Sequence, residues 1–394
     1  MKFNTKKLIF NIIIFSFILL PVILWMIWVF TPQKHLNVFI MDKTVLTKEG
    51  LEHKGLDWVL THKKYVKQNN EYYSVPEDYF GFFPLKNKKF NIKDLQKYSE
   101  KQIDSLSNYY DMAYFTDTYG IYINEWYGKK NLTEHSEKIY GGLDEKDYLF
   151  LKSMKEKKKL VMAEFNFFAT PTSPEIRKKT EDLFHIQWTG WTGRYFYLLD
   201  TVKNPELPRW VIRLYKEQHH GTWPFKNSGI VFVNEDETIA ILENKTHLNY
   251  EVPKIKSFDY AVNTFNIPKE INYSYWFDII LSTDSSNKVL SYYEIKTNKI
   301  GDSILEKHAI PKVFPAAFEH LKNYPFYYFC GDFTDVPIDP LFVRMKGIKY
   351  LKLFVLNESD LNDRTPFFWR YYYPMVEKIL QRYYEKNLII KTSN

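Results

Sequence analysis

A long apolar run near the N-terminus is the feature that most limits what this chain can fold into. From Leu8 to Phe30 the sequence reads LIFNIIIFSFILLPVILWMIWVF and contains no ionisable side chain. A helix of roughly 20 apolar residues is long enough to cross the hydrocarbon core of a bilayer. The run exceeds the roughly 7–15 apolar residues of a signal peptide, and no small-x-small cleavage site follows it. We therefore predict an uncleaved signal anchor, a transmembrane helix over residues 8–30.

The charges before this run predict the orientation of the chain. Three lysines precede the apolar residues: Lys2, Lys6 and Lys7. Because positive charges stay on the cytoplasmic side of a span, we expect residues 1–7 in the cytoplasm and the bulk of the chain extracytoplasmic. The protein would then be held in the cell membrane by a single span. The Lys-, Asn- and Ile-rich composition favours a bacterial cell envelope.

Composition excludes several classes of protein for the rest of the chain. One cysteine, Cys330, among 394 residues excludes an intramolecular disulfide framework and a Cys-rich zinc site. The 31 Tyr and 31 Phe can instead build a large core. A net charge of +7 without a continuous basic arm makes nucleic acid an unsuitable partner. The length fits one large decorated domain or two small ones.

Three continuous apolar runs alternate with helical patterns in the first half of the chain. The runs are LNVFIMD, DMAYFTD and LVMAE, and such runs are typical of strands buried on both faces. A further helix is expected to begin with Ser173 as N-cap and Pro174 at its first position. This alternation predicts an α/β fold with an open, mostly parallel sheet and helices on both faces.

The second half of the chain is richer in strand patterns. SGIVFVNEDETIAILE and YWFDIILSTDSSNKVLSYYEIKT each predict a β-hairpin insertion, and FYYFCGD predicts a further buried strand. The aromatic stretch FFWRYYYPMVEKILQRYYEKNL predicts a C-terminal helix. We divide the chain into an α/β core over residues 36–200 and a β-rich insertion over residues 201–394, which also completes the core. Whether residues 201–394 form a separate domain stays open.

Carboxylates follow the predicted parallel strands. Asp42, Asp117 and Glu164 each end one run, and Asp332 and Asp335 follow FYYFC. Ligands of open α/β sheets bind at the carboxyl ends of the strands. The acids are therefore candidates for gripping sugar hydroxyls, for binding a cation, or for acid–base chemistry, with Asp117, Glu164 and Asp332 as the candidate catalytic residues. The alternative is that they cap helices and satisfy loop amides.

The stretch HIQWTGWTGRYF suggests a second set of ligand-binding residues. Trp188, Trp191 and Arg194 are predicted to lie on a glycine-punctuated loop. Indoles stack on sugar faces while charged groups bind the hydroxyls, so the loop is a candidate carbohydrate platform. The alternative is that the indoles pack into the core or stand at a domain junction.

The other motifs of the sequence give weaker indications of a functional site. Adjacent His219 and His220 rarely converge on one ion, so we predict no metal site. No P-loop, G-x-S-x-G or Rossmann fingerprint is present, and we expect no cofactor. Glu319 and His320 have no nucleophile beside them. Cys330 is expected to be a buried, inert thiol.

The order of elements and two motifs resemble the class I glutamine-amidotransferase-like superfamily, of flavodoxin-like α/β fold. The resemblance covers mainly residues 36–200 and rests on YFTDTYG, on GGLDEKDYLFLKSMKEKKKLVMAE and on the turn after Glu164. In that superfamily the corresponding GG loop, helix and buried strand lead to the nucleophile elbow. Here the matching AEFNFFATPTS holds no cysteine, so the resemblance implies a branch without the nucleophile, and glutaminase activity is not expected.

Three functions remain after these exclusions. The first, which we favour, is a membrane-anchored envelope domain that binds glycan or assists polysaccharide handling. Under this hypothesis the protein is not an enzyme. The second is a hydrolase of envelope glycan or peptide that uses the strand-end carboxylates. The third is an interaction module that contacts a membrane protein partner through Phe367, Phe368 and Trp369 in the C-terminal helix.

Overall fold

The computed structural model describes residues 19–128, 133, 136–168, 170–357 and 359–393. The strands are β1 (Lys34–His35), β2 (Val38–Asp42), β3 (Tyr65–Val66), β4 (Phe80–Pro84), β5 (Phe90–Lys93), β6 (Met112–Phe115), β7 (Ile121–Tyr122), β8 (Lys138–Tyr140), β9 (Leu160–Ala163), β10 (Ile186–Phe196), β11 (Gly229–Asn234), β12 (Ile239–Glu243), β13 (Lys254–Ser257), β14 (Glu270–Asn272), β15 (Trp276–Ser282), β16 (Lys288–Glu294), β17 (Val313–His320) and β18 (Phe326–Phe329). The helices are α1 (described over residues 19–30), α2 (Leu51–His62), α3 (Glu100–Tyr109), α4 (Ile123–Tyr127), α5 (Glu145–Glu156), α6 (Pro174–Phe184), α7 (Arg209–Gln218), α8 (Asp259–Phe265), α9 (Lys299–Lys307), α10 (Ile348–Leu353), α11 (Thr365–Phe367) and α12 (Tyr373–Ser393). Short 3₁₀ turns cover Lys86–Lys88 and Pro340–Phe342, and a π-helical turn covers Phe368–Tyr372.

A ten-stranded sheet forms the centre of the fold. Its strand order is β14-β13-β16-β17-β18-β9-β6-β2-β4-β5. The neighbours from β18 to β4 pair in parallel, while the remaining neighbours pair antiparallel. The α/β class is thus present, but the prediction of a mostly parallel sheet is corrected to a mixed one. Strands from the second half of the chain, which pair antiparallel with one another, account for most of this difference.

The parallel strands explain why the sequence carries continuous apolar runs. Every residue of β2, β6 and β9 is buried, because both faces of the sheet are covered. β18 lies parallel beside β9 and is equally buried. The carboxyl ends of these four neighbouring strands therefore meet at one edge of the sheet.

A second, four-stranded antiparallel sheet has the order β12-β11-β10-β15. The predicted hairpin of β11 and β12 is present. The other predicted hairpin is wrong, because β15 pairs with β10 in this sheet while β16 pairs with β13 and β17 in the large sheet. The predicted loop around Trp188 is also wrong, since these residues form the long strand β10.

Helix α6 begins as the sequence predicts. The Ser173 hydroxyl accepts a hydrogen bond from the Ile176 amide at 3.4 Å, and Pro174 occupies the first turn. The helix ends at Phe184, where His185 adopts a left-handed conformation with φ of 55°. Cap and proline together fix the start of this helix.

The prediction of a transmembrane helix over residues 8–30 is corrected by the described part of the structure. Within the described part of the chain, no helix is both long and apolar enough to cross a membrane. The C-terminal end of residues 19–30 packs on the α/β fold. Trp28 is buried and its indole donates to the His62 carbonyl at 3.1 Å. Residues 8–18 of the predicted signal anchor, and residues 1–7 before it, lie outside the described residues.

The aromatic C-terminal helix belongs to the core. Phe367, Phe368 and Trp369 are all buried, and the Trp369 indole packs edge-on against Trp58 of α2 at 5.0 Å. The π-helical turn precedes Pro374, whose missing N–H interrupts the regular helical hydrogen bonds. The three side chains proposed as a docking face therefore lie inside the protein.

Candidate functional site

The carboxyl edge of the parallel strands collects the acids that the sequence singled out. Asp42, Asp117 and Glu164 lie at the ends of β2, β6 and β9, and Asp332 follows β18. The first three side chains are buried, while Asp332 is half-buried. The structure thus brings these four of the five predicted acids to one edge, but their surroundings differ.

Asp42 is held by a histidine. Its Oδ2 lies 2.6 Å from His53 Nδ1 of α2, and the other ring nitrogen of His53 contacts the Val75 carbonyl at 2.8 Å. Burial lowers the pKa of His53, but the hydrogen bond and charge of Asp42 outweigh it and the net pKa is raised. Both ring nitrogens are occupied, so this pair fastens α2 to the strand end. Gly81 passes so close that an added Cβ would lie 1.6 Å from the Asp42 carbonyl oxygen.

Glu164 is enclosed by donors. Its carboxyl group accepts hydrogen bonds from the Tyr114 hydroxyl, from the amides of Phe333 and Thr334 at 3.2 and 3.3 Å, and from the Thr334 hydroxyl at 3.0 Å. Burial nevertheless raises the pKa of Glu164 to about 8. With no exposed surface, Glu164 ties β9 to the loop after β18 and is closed to a substrate.

Asp117 is also satisfied within the protein. Its Oδ1 accepts the Tyr119 amide at 2.7 Å, and its Oδ2 accepts the Asn166 side-chain amide at 3.2 Å. Burial, and to a lesser extent the charge of Asp42, raises the pKa of Asp117 to about 7. Asp117 thus satisfies a loop amide, as the alternative interpretation of the sequence stated.

Two further acids at this edge were missed by the sequence analysis. Burial and then the charge of Asp42 raise the pKa of Glu52, at the start of α2, well above its usual value, with smaller effects from Asp335 and Asp117. Burial raises the pKa of Asp278 in β15 to about 7. Asp278 could have been identified from the sequence, because it interrupts the apolar strand WFDIILS. Glu52 could not, because it lies in an ordinary amphipathic helix.

A cavity of about 230 Å³ opens beside Asp332. Its walls include Asn272, Ser274, Tyr275, Asp332, Arg364 and Phe367, and we call it the Asp332 cavity. Within the described part of the chain, the Asp332 carboxyl group has no hydrogen-bond or ion-pair partner. Burial raises the pKa of Asp332 well above its usual value, and the charges of Asp335 and Asp117 add to this effect. Asp332 therefore lines this cavity and is left for a ligand to engage.

A hydrogen bond and an ion pair hold one wall of this cavity together. The Tyr275 hydroxyl donates to Asp335 at 2.7 Å, and the Arg364 guanidinium lies 3.4 Å from the same carboxylate. Arg364 also stacks over the Tyr275 ring at 3.7 Å. Arg364 comes from the polar stretch LNDRTP, which gave no signal in the sequence, so tertiary packing alone brings it here.

The predicted tryptophan platform is not formed. Trp188 and Trp191 are buried at 7% and 6% exposure, and the Trp188 indole donates to the Trp191 carbonyl at 3.0 Å. They leave no open ring face for a sugar, as the core-packing alternative stated. Arg194 stacks on Tyr275 at 5.1 Å and on Trp276 at 5.3 Å. It therefore supports the cavity wall from behind.

The described residues contain no group of three or more His, Cys, Asp or Glu side chains arranged to hold a metal ion. His219 stacks on Tyr215 at 3.9 Å, which uses its ring for packing. Cys330 is fully buried as predicted, and burial raises the pKa of its thiol.

Comparison with known proteins finds a structural neighbour but no match by sequence. No sequence model of a protein family matches the chain, and no curated protein is similar to it. A crystal structure of a ThuA-like protein from Bacteroides uniformis is similar over 77% of this chain and 83% of that chain, at 9% identity and a TM-score of 0.33. ThuA-like proteins belong to the class I glutamine-amidotransferase-like fold. At this TM-score the likeness carries no argument about function, and the nucleophile-free branch stays a prediction.

Proposed function

We propose that this protein binds a carbohydrate and that the Asp332 cavity is the binding site. The observation that carries the proposal is the half-buried Asp332 carboxyl group, which lines the cavity without a partner of its own. The carboxyl oxygens are open to the cavity, so the partner that they lack within the protein can come from a ligand. A ligand hydroxyl would supply the missing bond, and a carboxyl group both accepts and, when protonated, donates to such a hydroxyl.

The composition of the walls supports a sugar as the ligand. The half-buried Tyr275 is an aromatic part of the wall, while Asn272 and Ser274 add small polar groups. Sugar sites combine apolar walls with a few placed polar groups. The volume lies below the roughly 300–1,000 Å³ of pockets for drug-sized ligands. The occupied part of a glycan would therefore be small, about one sugar unit.

A hydrolase acting through Asp332 is the second candidate. The raised pKa of Asp332 favours its protonated form, as a general acid requires. Glycoside hydrolysis also needs a second carboxylate across the bond. Three other acids line the walls: Glu270 pairs with Lys254, Asp360 accepts the Asn362 amide at 2.9 Å, and Asp363 accepts the Thr365 amide at 2.8 Å. Binding without turnover is therefore the better supported function.

Calorimetric titration with a panel of mono- and oligosaccharides tests the proposal. We expect Asp332→Asn to weaken sugar binding about two- to tenfold, because the amide nitrogen removes one acceptor oxygen and a hydrogen bond contributes about 0.5–1.5 kcal/mol. Asp182→Asn, on the exposed side of α6, is the matched control and should bind as the wild type. Equal affinity of all three proteins would refute the site. Release of sugar products by the wild type, lost in Asp332→Asn, would favour the hydrolase.

A further inference from the structure

Helix α1 leaves most of its apolar surface uncovered. Residues 19–30 are apolar throughout, and every one of them except Leu24 and Trp28 is exposed. These two lie four positions apart, so α1 contacts the rest of the protein along a single stripe. A helix that is apolar on all sides is normally surrounded by apolar groups, which the protein supplies here along that stripe only.

Residues 341–355 continue this apolar surface. A Cβ on Gly347 would lie 4.0 Å from the Leu24 side chain of α1 and 3.9 Å from the Tyr350 ring of α10. The two helices are therefore adjacent, with Gly347 between them. Large apolar side chains of α10 and of the turn after it are exposed: Tyr350, Leu351, Leu353, Phe354 and Val355. We call the exposed apolar surface of residues 19–30 and 341–355 the α1–α10 face.

The charges of this face all have the same sign. Residues 340–357 hold four cations and no acid, and residues 19–30 hold no charge. One of the four, Lys349, pairs with Glu377. The other three make no ion pair within the described part of the chain: Arg344, Lys346 and Lys352. The face thus combines a large apolar surface with unneutralised positive charge.

This combination fits a lipid surface. Exposed apolar patches of this extent mark sites of interaction, and an apolar surface bordered by cations suits a bilayer of anionic lipids. Trp25 and Tyr350 are exposed within the face, and such rings prefer the headgroup region of a membrane. The Lys352 ammonium lies 4.4 Å from the centre of the Phe342 ring, so its stem follows apolar surface. A second copy of the chain fits less well, because a symmetric contact would set the same cations against each other.

We propose that the α1–α10 face binds the surface of a bilayer that contains anionic phospholipids. The apolar side chains enter the acyl boundary of one leaflet, and the three unpaired cations contact lipid phosphate groups. The arrangement requires no helix that crosses the bilayer, and the described residues contain none that could. The face shares no residue with the walls of the Asp332 cavity, so the proposal is independent of sugar binding.

A fluorescent label on the face tests this proposal. Cys330 is fully buried, so a cysteine introduced on the surface of the full chain can be labelled selectively with an environment-sensitive dye. The probe positions are Phe354→Cys and Val355→Cys, which replace side chains that are 87% and 74% exposed. Vesicles of phosphatidylcholine and phosphatidylglycerol should shift the dye emission to the blue, and lipids with brominated tails should quench it. A dye at Lys48→Cys should show neither effect, because Lys48 precedes α2 whereas α1 contacts the other end of α2 at His62.

Two triple variants, each made in the Phe354→Cys protein, test the role of charge. One removes the unpaired cations of the face: Arg344→Gln, Lys346→Gln and Lys352→Gln. It should require about tenfold more lipid for the same dye signal. The matched control removes the same charge from exposed positions outside the face: Lys203→Gln, Lys245→Gln and Lys299→Gln. The control should bind these vesicles as tightly as the parent protein does.

Three results would overturn the proposal. The first is a dye at Phe354→Cys and at Val355→Cys that stays in water while the protein is bound to vesicles. The second is an equal loss of binding in both triple variants, or equal binding to vesicles with and without phosphatidylglycerol. The third is a dimer that covers the dye in the absence of lipid, which would assign the face to a second copy of the chain.

Discussion

At the scale of single residues, burial decides which carboxyl groups carry charge. The pKa of Glu164 is raised to about 8, above about 4.3 in an unfolded chain. Between these values the folded protein holds a proton that the unfolded chain has released, so stability falls as pH rises from about 4 to about 8.

Glu164→Gln imitates the protonated acid and tests this assignment. The variant should lose less stability than the wild type between pH 5 and pH 8, because glutamine does not ionise. Urea unfolding at a series of pH values measures the difference. Glu156→Gln on α5 is the control and should keep the wild-type slope. Identical slopes for the wild type and Glu164→Gln would show that Glu164 does not titrate in this range.

A buried ion pair beside Asp42 gives a second prediction at this scale. Lys43 and Asp147 are fully covered, with Nζ 2.6 Å from Oδ2, and Lys43 also donates to the Gly142 carbonyl at 2.8 Å. Lys43→Met should cost about 3–5 kcal/mol because it leaves a buried acid unpaired. Adding Asp147→Asn should recover most of that loss in urea unfolding. A double variant no more stable than Lys43→Met would contradict this account.

The sequence indicated that the acids lie at strand ends, but it could not predict which of them would find hydrogen-bond partners within the protein. Asp42, Asp117 and Glu164 were found because each ends a continuous apolar run. Their partners come from distant segments, such as Thr334 on Glu164, so no local pattern predicts which acid stays open. Asp332 differs only because the loop after β18 leaves it beside a cavity.

At the scale of elements, caps and periodicity predicted helices better than they predicted strand partners. Ser173→Ala removes the cap of α6 and should cost about 1 kcal/mol, because the Ile176 amide loses its acceptor. Ser303→Ala, inside α9, is the control and should be neutral or slightly stabilising in urea unfolding. Equal destabilisation by both variants would argue against the capping role.

The strand errors have a common physical cause. Period-two and apolar patterns predict a strand but leave its partner undetermined. The polar TDSSN segment satisfied the pattern of a hairpin turn, yet β15 and β16 leave it towards different sheets. In HIQWTGWTGRYF the glycines suggested a loop, whereas Gly193 packs against the Phe277 ring of the neighbouring strand.

At the scale of the whole molecule, the large sheet draws on both halves of the chain. β9 pairs with β6 on one side and with β18 on the other, and Phe326 of β18 stacks on Phe184 at 4.2 Å. Residues 36–200 alone would therefore expose a central strand edge and much of the core.

We expect residues 36–200 alone to lack cooperative unfolding and the near-ultraviolet circular dichroism of packed aromatics. Residues 19–394, measured in parallel, should show both. A cooperative transition in the shorter chain would mean that it is an independent domain, and that the second half is an addition to it.

The crystal structure of the protein with a bound sugar tests the central claim most directly. The account predicts a sugar ring in the Asp332 cavity, with a hydroxyl within about 3 Å of the Asp332 carboxyl group. A sugar bound elsewhere, with the cavity free of it, would contradict the claim that Asp332 forms the binding site.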